Sequence, residues 1–199
     1  MSDLIVGLSG YARSGKNEAA NVLVTRGWRQ AAFADKLKDF LYSQNPLIPG
    51  HYGAGNLRLR TLVDRVGWDY AKVTYPEVRA LLQRTGTEAG RQVLGQNVWV
   101  DALLDQHADA PALVVTDCRF PNEADAIRER GGILIRVDRP GVGPAKDKYG
   151  RAHVSETSLD DYDFDHHLIN DGSVVDLHDK LEGVANLVEP HLHIAAVSV

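Results

Sequence analysis

The stretch LIVGLSGYARSGKNEAANVLV, from Leu4 to Val24, decides the reading of this chain. Leu4–Leu8 is an apolar run with the length and composition of a buried strand. A glycine-bearing turn follows, and from Lys16 the apolar residues recur at helical spacing. Gly10, Gly15 and Lys16 fit the phosphate-loop pattern G-x-x-x-x-G-K, with Asn17 in place of the usual hydroxyl residue. The spacing has a physical reason. Glycines let the backbone curl until successive N–H groups converge on one anion, and the helix that follows adds its partial positive charge. Lys16 can then reach terminal phosphates as a mobile charge. Strand, loop and helix in this order distinguish the motif from a chance glycine turn. Gly10, Arg13, Ser14, Gly15, Lys16 and Asn17 are therefore the expected contacts to the phosphates of a bound nucleotide. Two roles stay open for Asn17. Its amide oxygen could ligate magnesium weakly or through water, or it could only cap the helix.

Composition sets bounds around this motif. A chain of 199 residues with 44% hydrophobic content can bury a core and fits a single domain over 1–199. A net charge of −5 disfavours generic binding to a nucleic acid polymer. One cysteine, Cys118, excludes an internal disulfide and a cysteine metal cluster. No apolar run is long enough to span a membrane, and no basic-then-apolar leader is present, so a cytoplasmic location is expected. The eight histidines lack the paired helical spacing of a metal motif.

Outward from the loop, strand-like and helix-like segments alternate. Strands are expected at Leu4–Leu8, Gln30–Ala34, Ala112–Thr116, Ile133–Val137 and His167–Asn170. Helices are expected at Lys16–Arg26, Asp35–Tyr42, Asn56–Arg65, Pro76–Gly90, Val98–Ala108, Glu123–Arg130 and Val174–Val188. Alternation of this kind implies an α/β fold in three layers around a mostly parallel five-stranded sheet. Ligands of such sheets bind beyond the carboxyl ends of the strands. Those ends carry the phosphate loop, FADKLKDFL, TDCRFPNEADAIR with Asp117, Arg119 and Glu123, DRPG with Arg139, and INDG with Asn170 and Gly172.

Asp117, an acid directly after an apolar strand, is a candidate to hold magnesium through water or to orient substrate. Arg13, Arg119 and Arg139 sit where a planar guanidinium could clamp phosphate oxygens. Gln83, Arg84, Thr85, Gly86 and Thr87, with Trp99 downstream, suggest a second ligand site. Amides and hydroxyls can read a base edge, and an indole can wall a pocket. Taken alone, Trp99 is equally well explained as a core residue. The loop from Arg139 to Gly150, with Lys146, Lys148 and nearby Arg151, reads as a mobile basic lid, about 139–155, or as an ordinary solvated loop.

The pieces SGYARSGKN, FADKLKD, LLQRTGTE, NVWV, TDCRFPNEADAIRERGG, RVDRPG, HVSE and INDGS run in one order from Leu4 to about Leu187. In that order the chain resembles the deoxynucleoside monophosphate kinases of tailed bacteriophages. The D-x-R…E and H-x-S-E pieces resemble phosphomevalonate kinase more distantly. The resemblance implies a three-layer P-loop kinase fold with a helical monophosphate-binding region, about 35–105, and a lid. It implies transfer of the γ-phosphoryl group of ATP, with Mg2+, to a deoxynucleoside monophosphate. Lys16, Arg13, Arg139 and Asp117 would then serve the transfer, and Asn17 and Asp117 the metal. Lys38 and Arg84 would hold the acceptor phosphate. Gln83, Thr85, Gly86, Thr87, Trp99, Asp117, Arg119 and Glu123 would contribute to acceptor binding, and Asn170–Gly172 would lie near the donor adenine. A homodimer and a host-cytoplasmic location are implied by the resemblance alone. A kinase of another phosphorylated metabolite and a non-enzymatic nucleotide switch are the competing readings.

Overall fold

The apolar run that opens the chain becomes β1, Leu4–Ser9. It belongs to a computed structural model that describes residues 4–50, 55–146 and 149–196, with 187–196 described by backbone alone. After β1 come α1 (Lys16–Thr25), β2 (Arg29–Ala31), α2 (Phe33–Gln44), β3 (Leu47–Ile48) and β4 (Leu57–Arg58). Next are α3 (Leu59–Thr74), α4 (Pro76–Gln83), a π-helix (Arg84–Leu94) and α5 (Val98–Gln106). The remainder is β5 (Ala112–Val115), α6 (Pro121–Glu129), β6 (Ile133–Asp138), α7 (Val154–Thr157), β7 (His166–Ile169) and α8 (Val174–Ala196). The chain divides into one unit of residues up to Ala32 and from Leu104 onward, and a second unit of Phe33–Leu103.

The first unit holds a five-stranded sheet in the order β2-β5-β1-β6-β7, every neighbouring pair parallel. Val6 of β1 lies opposite Val114 on one side and Ile133 on the other. Val6, Leu8, Val114, Ile135 and Val137 pack with Ala19, Ala20 and Leu23 of α1 and with Leu177, Leu181 and Ala185 of α8. Helix α6 closes the opposite face. A Cβ on Gly7 would lie 2.6 Å from Ile127 Cδ1, so the smallest residue sits where α6 approaches the sheet. Covered on both faces, the central strands read as near-continuous apolar runs rather than alternating ones. Leu8, Val114, Ile127 and Leu134 have no exposed surface, and each such side chain contributes about 1.5–3 kcal/mol by its burial. This is the three-layer α/β fold around a parallel five-stranded sheet expected from the sequence.

The strand ends are anchored as well. Thr116 N donates to Ala31 O at 3.0 Å, Cys118 N to Leu8 O at 3.1 Å and Asn170 N to Asp138 O at 2.7 Å. These bonds carry the ladder one step past each strand and hold the polar loops at the sheet's carboxyl edge.

The second unit is helical, with β3 and β4 as a small antiparallel pair. Its core is Leu37, Leu41, Ile48, Leu59, Leu62, Ala71, Val78 and Trp99. Several boundaries differ from the sequence expectations. The second strand stops at Ala31 because Phe33 already begins α2. The helix expected over Asn56–Arg65 runs instead from Leu59 to Thr74, broken at Gly67 where φ is 77°. The helix expected over Pro76–Gly90 ends as an α-helix at Gln83 and continues as the π-helix. Gly86 and Gly90 let neighbouring side chains approach this segment closely. Gly90 lies against Trp99, where a Cβ would come within 2.6 Å of the indole, and Gly86 O accepts the Trp99 indole N–H at 2.9 Å. The pairs β3–β4 and the four-residue α7 are too short to show a period in sequence. Helix α8 extends to Ala196, and the side chains of the tail from Glu189 lie outside the described residues, as does Lys148.

Candidate active site

The loop after β1 is shaped by three positive φ angles: Gly10 at 129°, Arg13 at 68° and Gly15 at 107°. Only glycine fits at Gly10, where a Cβ would lie 2.2 Å from the backbone oxygen of Val137. Arg13 holds a left-handed conformation that costs a side-chain-bearing residue on the order of 1–3 kcal/mol. Such strain persists only when the surroundings impose it. Asn170, just past β7, is part of that frame. Its Nδ2 donates to Ser14 O at 2.8 Å, and a Cβ on Gly15 would meet that nitrogen at 2.6 Å. Ser14 Oγ is buried with no hydrogen-bond partner. A buried, unsatisfied hydroxyl inside a glycine loop at a helix N-terminus fits a loop built to receive anionic oxygens.

Lys16 begins α1 and is 8% exposed. Its Nζ donates to Gly10 O and Tyr11 O, each at 2.7 Å. Burial lowers its pKa to about 8, assisted by the positive charges of Arg119 and Arg136 and opposed by Glu156 and Asp117. The ammonium is therefore held chiefly in a poorly solvated site, where an anionic phosphate group would stabilise its charge.

Arg119 and Arg136 share an open cleft with Ser9, Gly10, Tyr11, Cys118, Glu156 and Asp160. Arg119 is fixed by two carboxylates. Glu123 Oε2 accepts from the backbone N of Arg119 at 2.7 Å, and Glu156 Oε1 accepts from its Nη1 at 2.7 Å. Arg136 lies on β6, 8% exposed, and donates to Asp138 Oδ1 at 2.9 Å, Leu159 O at 2.9 Å and Asp160 Oδ1 at 3.1 Å. Its guanidinium stands 5.2 Å from the centre of the Tyr11 ring, whose hydroxyl donates to Asp160 at 2.8 Å. Asp160 and Arg136 thus grip the phosphate loop at its second residue. The Cys118 thiol is fully buried and its pKa is pushed well up, which keeps it from acting as a thiolate.

The first unit brings together Gly10, Ser14, Gly15, Lys16, Asp117, Arg119 and Asn170 at the carboxyl edge of the sheet. Asp117 is half-buried just beyond β5 and acts on Lys16. Arg13, Asn17, Arg139 and Gly172 are exposed. Lys146 pairs with Ala152 across an isolated antiparallel bridge, and Arg151 stands over the Tyr149 ring. Among the described residues, no group of three or more His, Cys, Asp or Glu is arranged to hold a metal ion. No described helix is long and apolar enough to cross a membrane.

In the second unit, Lys38 is paired with Asp35 at 2.8 Å and Arg84 with Glu77 at 2.6 Å. Gln83 ends α4, while Thr85, Gly86 and Thr87 lie on the first turn of the π-helix. Two residues expected at the substrate have structural work. Trp99 is 7% exposed in the core and bonded to Gly86. Glu123 is 2% exposed, and its Oε2 accepts from the backbone of Arg119 and Phe120 as a capping box. Sequence reasoning passed over Tyr11, Arg136, Asp160 and Arg91, the last buried in the π-helix beside Gln96 O at 3.2 Å. An arginine inside the apolar run ILIRVD was the available signal for Arg136.

Known proteins of one family are similar to this chain. The family model described as deoxynucleotide monophosphate kinase matches residues 68–181. A protein of Acanthamoeba polyphaga mimivirus assigned by name to that family is 31% identical over 198 residues, 89% of this chain and 94% of the relative. The deoxynucleoside-5'-monophosphate kinase of Escherichia phage T5 is 30% identical over 77% of this chain and 57% of its own length. The deoxynucleotide monophosphate kinase of Enterobacteria phage T4 is 29% identical over 56% of this chain and 46% of its own. The chain thus spans about half the length of these phage relatives, and nearly all of the mimivirus one. By the extent of the family match and of the mimivirus alignment, the chain belongs to the deoxynucleotide monophosphate kinase family.

Proposed function

We propose that this protein transfers the γ-phosphoryl group of ATP to a deoxynucleoside 5′-monophosphate, giving ADP and the diphosphate. The observation that carries the reading is the strained glycine loop with Lys16 buried in it, beside Arg119 and Arg136, in a member of this family. Phosphoryl transfer of this kind asks for positioning and charge neutralisation rather than covalent help.

The loop from Gly10 to Lys16 wraps the donor phosphates. Lys16 exchanges the carbonyls of Gly10 and Tyr11 for phosphate oxygens, at little cost because both states satisfy the ammonium. Asn170 keeps the loop in shape from behind. Arg13 and Arg139, both exposed, are free to move onto the transferring group, and Arg119 offers its guanidinium to phosphate within the cleft. Magnesium, when bound with ATP, neutralises charge on the donor phosphates, and Asn17 and Asp117 are the residues proposed to hold it. The acceptor phosphate is already ionised, so no dedicated general base is required. Lys38, Gln83, Arg84, Thr85, Gly86 and Thr87 are proposed for the acceptor on the strength of the LLQRTGTE resemblance.

The test is a coupled ADP-release assay with ATP, magnesium and each deoxynucleoside monophosphate in turn. Phosphomevalonate and the absence of any acceptor serve as controls. ADP release that depends on a deoxynucleotide is expected. Release only without acceptor, or only with phosphomevalonate, overturns the proposal.

A further inference from the structure

One carboxylate in the cleft has no part in the reaction as proposed. The Glu156 side chain is 8% exposed, and burying a charge to that degree is costly unless it is paired and hydrogen-bonded. Its Oε1 accepts from Arg119 Nη1 at 2.7 Å and its Oε2 from the backbone N of Ala145 at 3.3 Å. The four-residue α7 is built to present it. His153 caps that helix, its Nδ1 accepting from Ser155 N at 3.2 Å, while Glu156 N donates to His153 O at 2.9 Å. The segment HVSE thus delivers one buried acid to one arginine.

Arg119 is the group so held. Its backbone is fixed by Glu123 and one guanidinium nitrogen by Glu156, yet its side chain keeps 37% exposure. A guanidinium carries five N–H donors in a single plane, so fixing Nη1 sets the direction of the others. A free arginine would have to give up its rotamer freedom on meeting phosphate. One already fixed at both ends has lost that freedom during folding. A surface ion pair would be worth little, but this one joins a nearly buried acid to a group that lines the cleft.

We infer that Glu156 is a positioning residue: it orients the guanidinium of Arg119 so that the remaining N–H donors meet a phosphate oxygen in the cleft. The inference rests on the phosphotransferase reading, under which Arg119 touches phosphate. It accounts for the HVSE segment, which the reaction otherwise leaves without a task. Glu156 itself touches no reacting group.

A double-mutant cycle on the full chain tests it, using Glu156→Gln, Arg119→Gln and the two combined. The readouts are kcat and KM for the deoxynucleotide and for ATP, followed with γ-labelled ATP for sensitivity, and the melting temperature. Glu156→Gln keeps the shape and removes the charge. It is expected to lower kcat/KM for the deoxynucleotide on the order of 10-fold, as supporting partners of a binding group commonly do. In the Arg119→Gln background the same change should cost less than about 2-fold, because the residue it acts through is gone. Glu156→Asp, which keeps the charge, should recover part of the loss, and Glu156→Met, which also removes the charge, replaces the Gln variant if that one melts well below wild type. An unaltered kcat/KM in Glu156→Gln, or an equal loss in both backgrounds, overturns the inference and leaves Glu156 a structural salt bridge. A wild-type protein that transfers nothing to any deoxynucleotide overturns the underlying reading, and this inference with it.

Discussion

Replacing Trp99 by phenylalanine separates the two roles open to this residue. The structure places the indole in the core of the second unit, 7% exposed, edge-on to Phe40 with ring centroids 6.3 Å apart. Its N–H bonds Gly86 O at 2.9 Å, and its six-membered ring fills the space above Gly90. Phenylalanine keeps an aromatic ring there but removes the donor. Losing the partner of a buried carbonyl costs about 1–2 kcal/mol. The missing half of the indole leaves a gap beside Gly90 that costs about 1 kcal/mol more. The total, roughly 2–3 kcal/mol, lowers the melting temperature of a chain this long by about 5–10 °C. The assay is thermal unfolding followed by circular dichroism, paired with steady-state kinetics well below the transition. The expected result is a clear loss of stability, with kcat/KM for the deoxynucleotide reduced to the extent that the π-helix shifts. A variant as stable as wild type, with a raised KM for the deoxynucleotide alone, would refute the reasoning and make Trp99 a wall of the substrate pocket.

Two other predictions concern the phosphate loop. Gly10→Ala puts a methyl group 2.2 Å from the Val137 carbonyl at a φ of 129°, so the loop must distort. ATP affinity measured by calorimetry should fall at least 10-fold, and an unchanged Kd would contradict the geometry. The second follows from Lys16, whose pKa is lowered to about 8 chiefly by burial. The charged form binds phosphate and is lost as pH rises, so in the free protein kcat/KM for ATP should be level below pH 7. It should then fall through pH 8, about 10-fold per unit beyond it. A fall that begins only near pH 10 would show that the ammonium is not desolvated.

The parts legible in the sequence were those fixed by local chemistry. An apolar run covered on two faces leaves an unbroken signature, which is why β1, β5 and β6 were found nearly to the residue. Gly10 and Gly15 were legible because the loop conformation admits nothing else. Partnerships across the sheet were not. Arg136 reads as an odd charge in a strand until the register places it beside Tyr11 and Asp160. Glu156 reads as one residue of a helix start, because its partner Arg119 lies 37 positions away. Glu123 could have been read differently, since an acid at the third position after Phe120 is a capping signature. The π-helix was hidden by its glycines, which keep helical spacing while the backbone widens around Trp99. Lys38 and Arg84 were foreseen as phosphate ligands and stand paired with Asp35 and Glu77, partners that a phosphate would have to displace.

The most direct test of the central claim follows the label itself. The protein is incubated with γ-labelled ATP, magnesium and a deoxynucleoside monophosphate, beside a Lys16→Ala variant checked for its fold by circular dichroism. Label should move into the deoxynucleoside diphosphate with the wild type and stay in ATP with the variant. Label released only as free phosphate, or transfer undiminished in Lys16→Ala, would contradict the account.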